Sequence, residues 1–334
     1  MGYQTGVASG VNDLLDKIRL FAIDQGWTVN RWSTHTYGRE LCVQKGTAFF
    51  NMRSYEQGQS VLVNGSSSGT AANPKYGIVL TGSDGYSGGA AWDLQPGYPR
   101  RSADASQAAH AFLPLVTNFG PFPTYHLLAP DDKCIYLELE VTTGVFQRLG
   151  FGSLDLFNPA VAGGGRFFYS TRNDHVTNST ASNTWLGSDI DNGNFAGEEV
   201  PFRSAQFAST MNSASYVRCS FGAFDGWAGS ARWPSYTQTS QCCQGGFTHD
   251  GLLAELGSNP LNGIAMLTPN VVSVQIGGEF LSPLGVVPGM RYMDMTKYLP
   301  GDEFTLGSDT WKVFPWYQKG GRSWQRGIAH KKVI

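Results

Sequence analysis

The sequence predicts a mainly β protein, with antiparallel sheets arranged as β-sandwich modules, one N-terminal helix and long glycine-rich loops. Composition is the first observation behind this prediction. Glycine occurs 42 times in 334 residues and aromatic residues make up 13%, which is typical of chains with many tight turns, because glycine tolerates positive φ. Charged residues make up only 15%, against a usual share of about 25%. The second observation is periodicity: only one segment has a convincing helical period, whereas short alternating segments recur along the chain.

The helix is predicted over residues 10–26. Apolar side chains recur there at helical spacing, and charged side chains occupy the other faces. The apolar positions are Val11, Leu14, Leu15, Ile18, Phe21 and Ala22. Ser9 or Asn12 can cap the start of the helix, and Gly26 ends it. We expect the apolar stripe to pack on the small sheet that follows.

Short strands follow the helix and continue to the end of the chain. The clearest pair is a hairpin around Thr-Thr-Gly, in which apolar residues alternate with Tyr136, Glu138 and Glu140. This alternation predicts one buried and one solvated face. The other strands are recognised by their β-branched and aromatic residues and by the turn residues between them. The predicted strands are 27–35, 40–44, 48–53, 134–141, 145–151, 166–170 and 271–276, with more to the end of the chain.

Four modules are predicted, because the chain is longer than a usual single domain and its composition shifts along its length. The segment after residue 61 becomes rich in glycine and serine, and the region 172–263 is the least regular. The modules are an N-terminal helix with a small antiparallel sheet (1–60), a β-rich central domain (61–171), a loop-rich insertion containing tryptophans (172–263) and a C-terminal β module (264–334).

Charge and hydropathy restrict the partners. The net charge of −2 gives no concentrated basic face, so nucleic acid is not expected as a partner. No apolar run approaches the roughly 18 residues of a membrane span, and the N-terminal segment lacks the pattern of a signal peptide. We therefore expect a protein that is made and assembled in a cytoplasm. The low share of charged residues favours a surface partly covered by other subunits, as in a homo-oligomer.

No catalytic, cofactor-binding or metal-binding residues are predicted. The segment beginning at Asp189 partly imitates a calcium loop, but its glycine is displaced and Val200 stands where a bidentate acid is needed. Glu138 and Glu140 lie two apart on a strand, about 7 Å from each other, as a pair of glycosidase carboxylates would. Acids on a solvated strand face are ordinary, however, and His249 belongs to no nucleophile signature. The sequence therefore predicts a protein that is not an enzyme.

The five cysteines fall into two groups. Cys42, Cys134 and Cys219 are isolated in apolar or β-like segments, which predicts small core residues. Cys242 and Cys243 are adjacent, so pairing with each other would distort the peptide between them. They are candidates for disulfides to other cysteines, within or between subunits, once the protein reaches an oxidising medium, and an unpaired reduced state is the alternative.

Aromatic residues on glycine-rich segments are the candidate interface residues. Rigid amphipathic rings provide contact area at low entropic cost, in subunit interfaces and in sugar-binding surfaces alike. A place in the β core or over the base of a loop is the alternative for each of them. The candidates are Trp185, Trp227, Trp233, Tyr236, Trp316 and Tyr317.

Three parts of the chain carry recognisable short sequence motifs, called phrases below. The carboxy-terminal part has Leu-Gly-x-Val-Pro from residue 284, Gly-Ser-Asp-x-Trp-x-Val-Phe-Pro from residue 307 and Gly-Ile-Ala from residue 327. The start has Tyr-Gln-Thr-Gly-x-Ala-Ser, Asn-Asp-Leu-Leu-Asp-Lys and Gln-Gly-Trp-Thr-Val within residues 3–29. The centre has Tyr-His-Leu-Leu from residue 125 and a glycine-containing hairpin up to residue 154. Together these phrases resemble a widespread group of tailed-bacteriophage virion proteins.

The resemblance implies a structural component of the virion that self-assembles and docks to neighbouring tail, baseplate or neck proteins. It implies assembly in the host bacterial cytoplasm and a final location in the virion. Other functions stay open: a receptor-binding module that recognises a host surface glycan, a head or capsid decoration protein, or a depolymerase-like glycosidase. The aromatic candidates would serve the first of these alternatives.

Overall fold

The structure is a computed structural model, and it describes residues 2–35, 38–56, 77–99, 113–116, 119–160, 164–170, 215–221, 224–229, 242–245, 258–259, 261–262, 265, 267–275, 282–315 and 326–333. These residues contain one helix, α1 (Val11–Asp24), and nineteen strands. The first ten strands are β1 (Gly2–Ala8), β2 (Thr28–His35), β3 (Gly38–Lys45), β4 (Ala48–Ser54), β5 (Ile78–Ser83), β6 (Leu113–Val116), β7 (Phe122–Ala129), β8 (Cys134–Thr142), β9 (Val145–Ser153) and β10 (Asp155–Leu156). The remaining strands are β11 (Arg166–Ser170), β12 (Ser215–Phe221), β13 (Phe224–Gly229), β14 (Cys242–Gly245), β15 (Thr268–Gln275), β16 (Ser282–Asp294), β17 (Glu303–Leu306), β18 (Asp309–Pro315) and β19 (Arg326–Lys332). The predicted mainly β class is confirmed.

The helix agrees with its prediction to within two residues at each end. All six predicted apolar positions are buried. Gly10 occupies the N-cap position without a side-chain cap, and Ser9 instead donates from its backbone N–H to Asp13 at 2.9 Å. Gly26, at φ 75°, adopts the left-handed conformation that commonly follows the end of a helix.

Two sheets make up the fold. The larger sheet has 14 strands in the order β1-β7-β8-β9-β11-β12-β13-β14-β15-β16-β19-β18-β17, and β10 pairs with β16. The smaller sheet has five strands in the order β2-β3-β4-β5-β6. Their pairs are antiparallel except for a parallel contact between Gly229 of β13 and Cys242 of β14.

The large sheet folds back on itself as a β-sandwich. Its first leaf contains β1, β7, β8, β9 and β11, and its second leaf contains β15–β19. The Tyr136 hydroxyl on the first leaf donates to the Pro288 carbonyl on the second at 2.6 Å. An apolar cluster drawn from both leaves fills the space between them, with Phe167, Met290 and Ile328 at 0% exposure.

A second apolar cluster covers the other side of the first leaf. It combines α1, the small sheet and the outward residues of β7–β9, including Ile18, Phe50 and Phe151. Phe50 and Phe151 lie 5.0 Å apart between ring centroids, which joins the two sheets directly. The first leaf is therefore a middle layer, buried on both faces.

This layering overturns the prediction of a solvated face on the hairpin. Tyr136 and Glu138 are 0% exposed, because the second leaf covers the face on which they lie. The hairpin itself is confirmed as β8 and β9, with Gly144 at φ 74° in its turn.

The predicted module boundaries do not follow the sheets. β5 and β6 lie beyond residue 60 but complete the small sheet, whereas β1 lies before it and belongs to the large sheet. The strands after residue 264 continue the same large sheet that begins with β1. Sheet pairing thus connects segments that composition separates.

Candidate functional site

Three polar side chains form a row across the first leaf. His126 on β7 lies opposite Glu138 on β8, and Glu138 lies opposite Arg148 on β9. Because cross-strand partners share one face of a sheet, all three side chains point towards the second leaf. The Arg148 Nε donates to both Glu138 oxygens at 3.2 Å.

The second leaf completes this row with two groups. The His330 Nε2 of β19 lies 2.9 Å from the Glu138 Oε1, and the Arg148 Nη2 donates to the Pro315 carbonyl of β18. We call Glu138, Arg148 and His330 the leaf-joining cluster. A buried ion pair of this kind contributes little net stability, but removing one partner is costly.

Burial argues against a catalytic role for the leaf-joining cluster. The side chains of Glu138 and His330 are 0% exposed and that of Arg148 is 1% exposed, so a substrate would have to separate the leaves to reach them. Glu140, the other member of the carboxylate pair considered from the sequence, accepts from the Gly144 backbone N–H at 2.8 Å instead. The two carboxylates therefore have separate structural tasks.

His126 ties the row to β1. Its Nδ1 lies 2.9 Å from the Tyr3 hydroxyl, and its ring lies 5.0 Å from that of Phe314 on the second leaf. Burial, with the nearby positive charge of Lys312, lowers the pKa of His126 to about 4. The imidazole is therefore neutral near pH 7.

The two ends of the large sheet meet beside His126. Lys332 and Lys312 place their ammonium groups 4.7 and 5.7 Å from the Tyr3 ring centroid, within the range of cation–π attraction. Both lysines also donate to Glu303 on β17, at 3.0 and 2.9 Å. Burial opposes ionisation of Glu303, but these two hydrogen bonds prevail and lower its pKa. β1 and β17 thus lie on the same side of the sandwich.

Trp227 is the one predicted interface residue whose side chain the structure describes, and it lies in the core. It is 8% exposed, and its ring lies 5.3 Å from that of Phe168. Its Nε1 donates to the Gly97 carbonyl at 2.9 Å. A Cβ on Gly82 would lie 2.5 Å from this indole, so glycine is required there. Trp227 therefore joins the two sheets, which is the core alternative left open by the sequence.

The other predicted site residues are not brought together by the described part of the chain. Trp185, Trp233, Tyr236, Trp316 and Tyr317 lie outside the described residues, as do Asp189 and His249. Cys242 and Cys243 begin β14, but their side chains also lie outside the described part, so the proposed disulfides stay predictions.

The three isolated cysteines are confirmed as buried core residues, and their thiols are free. Burial raises the pKa of Cys42 to about 12 and that of Cys219 to about 12. Burial also raises the pKa of Cys134, with the Asp131 carboxylate adding to the effect. Because the thiolate is the reactive form, these cysteines are chemically inert at neutral pH.

A groove of about 310 Å³ lies between α1 and the edge of the small sheet. Trp32 on β2 is one of the residues that line it, with the guanidinium carbons of Arg19 and Arg39 at 5.0 and 5.4 Å from the indole centroid. Asp16 pairs with Arg19 at 2.7 Å. Arg39 donates to the Thr34 hydroxyl at 3.0 Å and has no ion-pair partner among the described residues. Tryptophan and arginine are the residues most enriched in binding hot spots.

Two further classes of site find no support in the described residues. No three His, Cys, Asp or Glu side chains in the described ranges are grouped as metal ligands would be. None of the described helical residues belongs to a segment long and apolar enough to cross a membrane.

No protein-family model matches the chain, and no curated protein matches its sequence.

Sequence reasoning missed the leaf-joining cluster and the Trp32 groove. Polar residues in the same phase of β7, β8 and β9 give a weak signal for the row. His330 cannot be assigned to it from the sequence, because 192 positions separate His330 from Glu138. The groove depends on how α1 lies beside β2, and local periodicity does not encode that placement.

Proposed function

We propose that this chain is a structural component of a tailed-phage virion, which self-assembles and docks to neighbouring tail, baseplate or neck proteins. The observation that carries the proposal is spatial. The three parts of the chain that resemble virion proteins contact one another and build the sandwich. Tyr3 of the first part is hydrogen-bonded to His126 of the second, and Glu138 of the second is hydrogen-bonded to His330 of the third.

These contacts give the resemblance a physical basis. The three groups of motifs lie far apart in the sequence, but each supplies strands to the same sandwich. A common structural role is therefore a reason for all three to occur in one protein. The burial of Glu138, Arg148 and His330 also agrees with a structural role. A scaffold of this kind presents loops and strand edges for docking, and those features suit an assembly protein.

The proposal is tested on particles of the virus that encodes the chain. Quantitative mass spectrometry of purified particles should find the chain in several copies, and immunogold labelling should place it on the tail, baseplate or neck. The unassembled fraction of the infected-cell lysate is the control. A chain that is abundant in that fraction and absent from purified particles would overturn the proposal.

A second candidate is the receptor-binding module, and the Trp32 groove is the described feature that favours it. An indole is an amphipathic ring that supplies apolar contact area and one hydrogen-bond donor to a ligand, and in this groove it lies beside the guanidinium groups of Arg19 and Arg39. A glycan array would detect such binding, and Trp32→Ala should abolish it. The control is Leu306→Ala, at an exposed position on β17, which should leave the binding unchanged. A second tryptophan such as Trp27 cannot serve as the control, because it lies in the core. An array without a specific signal would remove this candidate.

A further inference from the structure

The strands at the ends of the two sheets differ in how they are protected against pairing with a strand of another chain. A terminal strand presents unpaired backbone groups, and proteins usually blunt it with charges, proline, bulges or short length. Among the described residues, the terminal strands are β1 and β17 of the large sheet and β2 and β6 of the small sheet.

Three of these strands carry such devices. β2 contains Arg31 and shifts its register between Val29 and Arg31. β6 has four residues, includes Pro114 and pairs irregularly with β5. β17 also has four residues and contains Glu303. Each of these edges is poorly suited to receive another strand.

β1 lacks these devices over most of its length. Its seven residues, Gly-Tyr-Gln-Thr-Gly-Val-Ala, include no charge and no proline. Its pairing with β7 is regular from Gly2 to Gly6 and shifts only at its last residues. Val7, which lies at that shift between Gly6 and Ala8, is 69% exposed. The unprotected edge and the exposed valine are therefore on the same strand.

We propose that β1 pairs with β1 of a second copy of this chain, antiparallel across a two-fold axis, so that the large sheet continues from one subunit into the next. A two-fold contact places the same surface on both sides, and like charges opposite each other destabilise a strand pair. An uncharged strand avoids that repulsion when it meets itself, whereas the copies of Arg31 on β2 or Glu303 on β17 would approach each other. This inference rests on the self-assembly in the proposed function and names the surface responsible.

Lysine at position 7 provides the test. Val7→Lys places a charge on the free edge at an exposed position, and Leu306→Lys makes the matched change on β17, where Leu306 is 57% exposed. Sedimentation-equilibrium measurements should find a dimer for the parent chain and for Leu306→Lys. For Val7→Lys the dimer dissociation constant should rise at least about tenfold, as expected for a charge that blocks an edge.

Hydrogen exchange supplies a second measurement that needs no variant. The amides of residues 2–8 in the parent chain should exchange more slowly above the dimer dissociation constant than below it, and those of residues 303–306 should not change. Circular dichroism verifies that the Val7→Lys variant keeps the parent fold. If the variant does not fold, the hydrogen exchange of the parent chain decides whether β1 forms the contact.

Several outcomes overturn the β1 contact. They are a parent chain that stays monomeric, a Val7→Lys dimer as tight as the parent, equal weakening by Leu306→Lys, and unchanged exchange in residues 2–8. None of them removes the proposed virion function, which depends on whether purified particles contain the chain. Conversely, a chain that dimerises through β1 but is absent from particles would overturn that function alone.

Discussion

At the scale of single residues, the sandwich holds polar side chains where apolar ones would be expected. His126 is 9% exposed and faces Lys312, Lys332, Glu138 and Glu303 from the strands around it. Its hydrogen bond to Tyr3 satisfies one ring nitrogen without a charge. Burial and the two lysines disfavour a second proton, so the neutral imidazole belongs to the folded state.

The first prediction is that His126 makes the protein sensitive to acid. Its pKa is about 4 in the folded state and about 6.5 in the unfolded chain, so the unfolded state binds the proton more tightly. The contribution of His126 is complete above pH 6.5 and is lost as the pH falls towards 4. The loss amounts to roughly 3 kcal/mol in the free energy of unfolding, from the pKa difference.

Melting temperatures measured between pH 7.5 and 4 provide the check. His126→Gln, which removes the titration and retains a hydrogen-bonding side chain, should melt with a shallower pH dependence than the parent between pH 6.5 and 4. His35→Gln is the matched control, since the His35 side chain is 44% exposed. Parallel curves for the parent and His126→Gln would refute the prediction.

At the scale of elements, α1 shows how a short amphipathic helix is fixed by what it packs against. Its 14 residues are about the minimum for an isolated helix in water, so most of its stability must come from its buried face. Ile18 is 0% exposed, whereas Leu20 on the same helix is 46% exposed. Both are aliphatic residues of the same size, which makes them a natural pair for comparison.

The second prediction is that Ile18→Ala lowers the free energy of unfolding by roughly 2–5 kcal/mol, because a filled site in the core becomes a cavity. Leu20→Ala should change it by less than about 0.5 kcal/mol, as is usual at the surface. Urea unfolding of the two variants beside the parent measures both values. Equal effects at the two positions would contradict the packing described for α1.

Elements with a strong local period could be predicted from the sequence, and their surroundings could not. The helix and the hairpin of β8 and β9 agree with their predictions to within two residues, because spacing and turn glycines are local signals. The face of Glu138 was expected to be solvated, since strand alternation reports which side chains are polar and not what covers them. The second leaf covers that face, and it arrives from a part of the chain beyond residue 264.

At the scale of the whole molecule, the same limit applies to the candidate surfaces. Among the described residues β1 ends the large sheet, and this could not be recognised until the strand order was known, although the lack of charge in β1 is visible in the sequence. Trp227 shows the opposite error: its residue type suits an interface, but the side chain is buried between the two sheets. The proposed assembly of this chain therefore relies on edges and grooves that only the completed sheets create.

The last prediction concerns the leaf-joining cluster, which holds the two leaves together through charged groups. Arg148→Met leaves the buried Glu138 carboxylate without its cation, and the free energy of unfolding should fall by about 3–5 kcal/mol. Lys133→Met is the control: Lys133 and Asp155 form an ion pair whose side chains are 51% and 54% exposed, so its loss should cost less than about 1 kcal/mol. The double variant Glu138→Leu with Arg148→Met should be more stable than Arg148→Met alone, because apolar residues of similar volume can replace a buried pair. Urea unfolding compares the four proteins. If Arg148→Met unfolds like the Lys133 control, or if the double variant is the less stable of the two, the cluster does not join the leaves in the manner described.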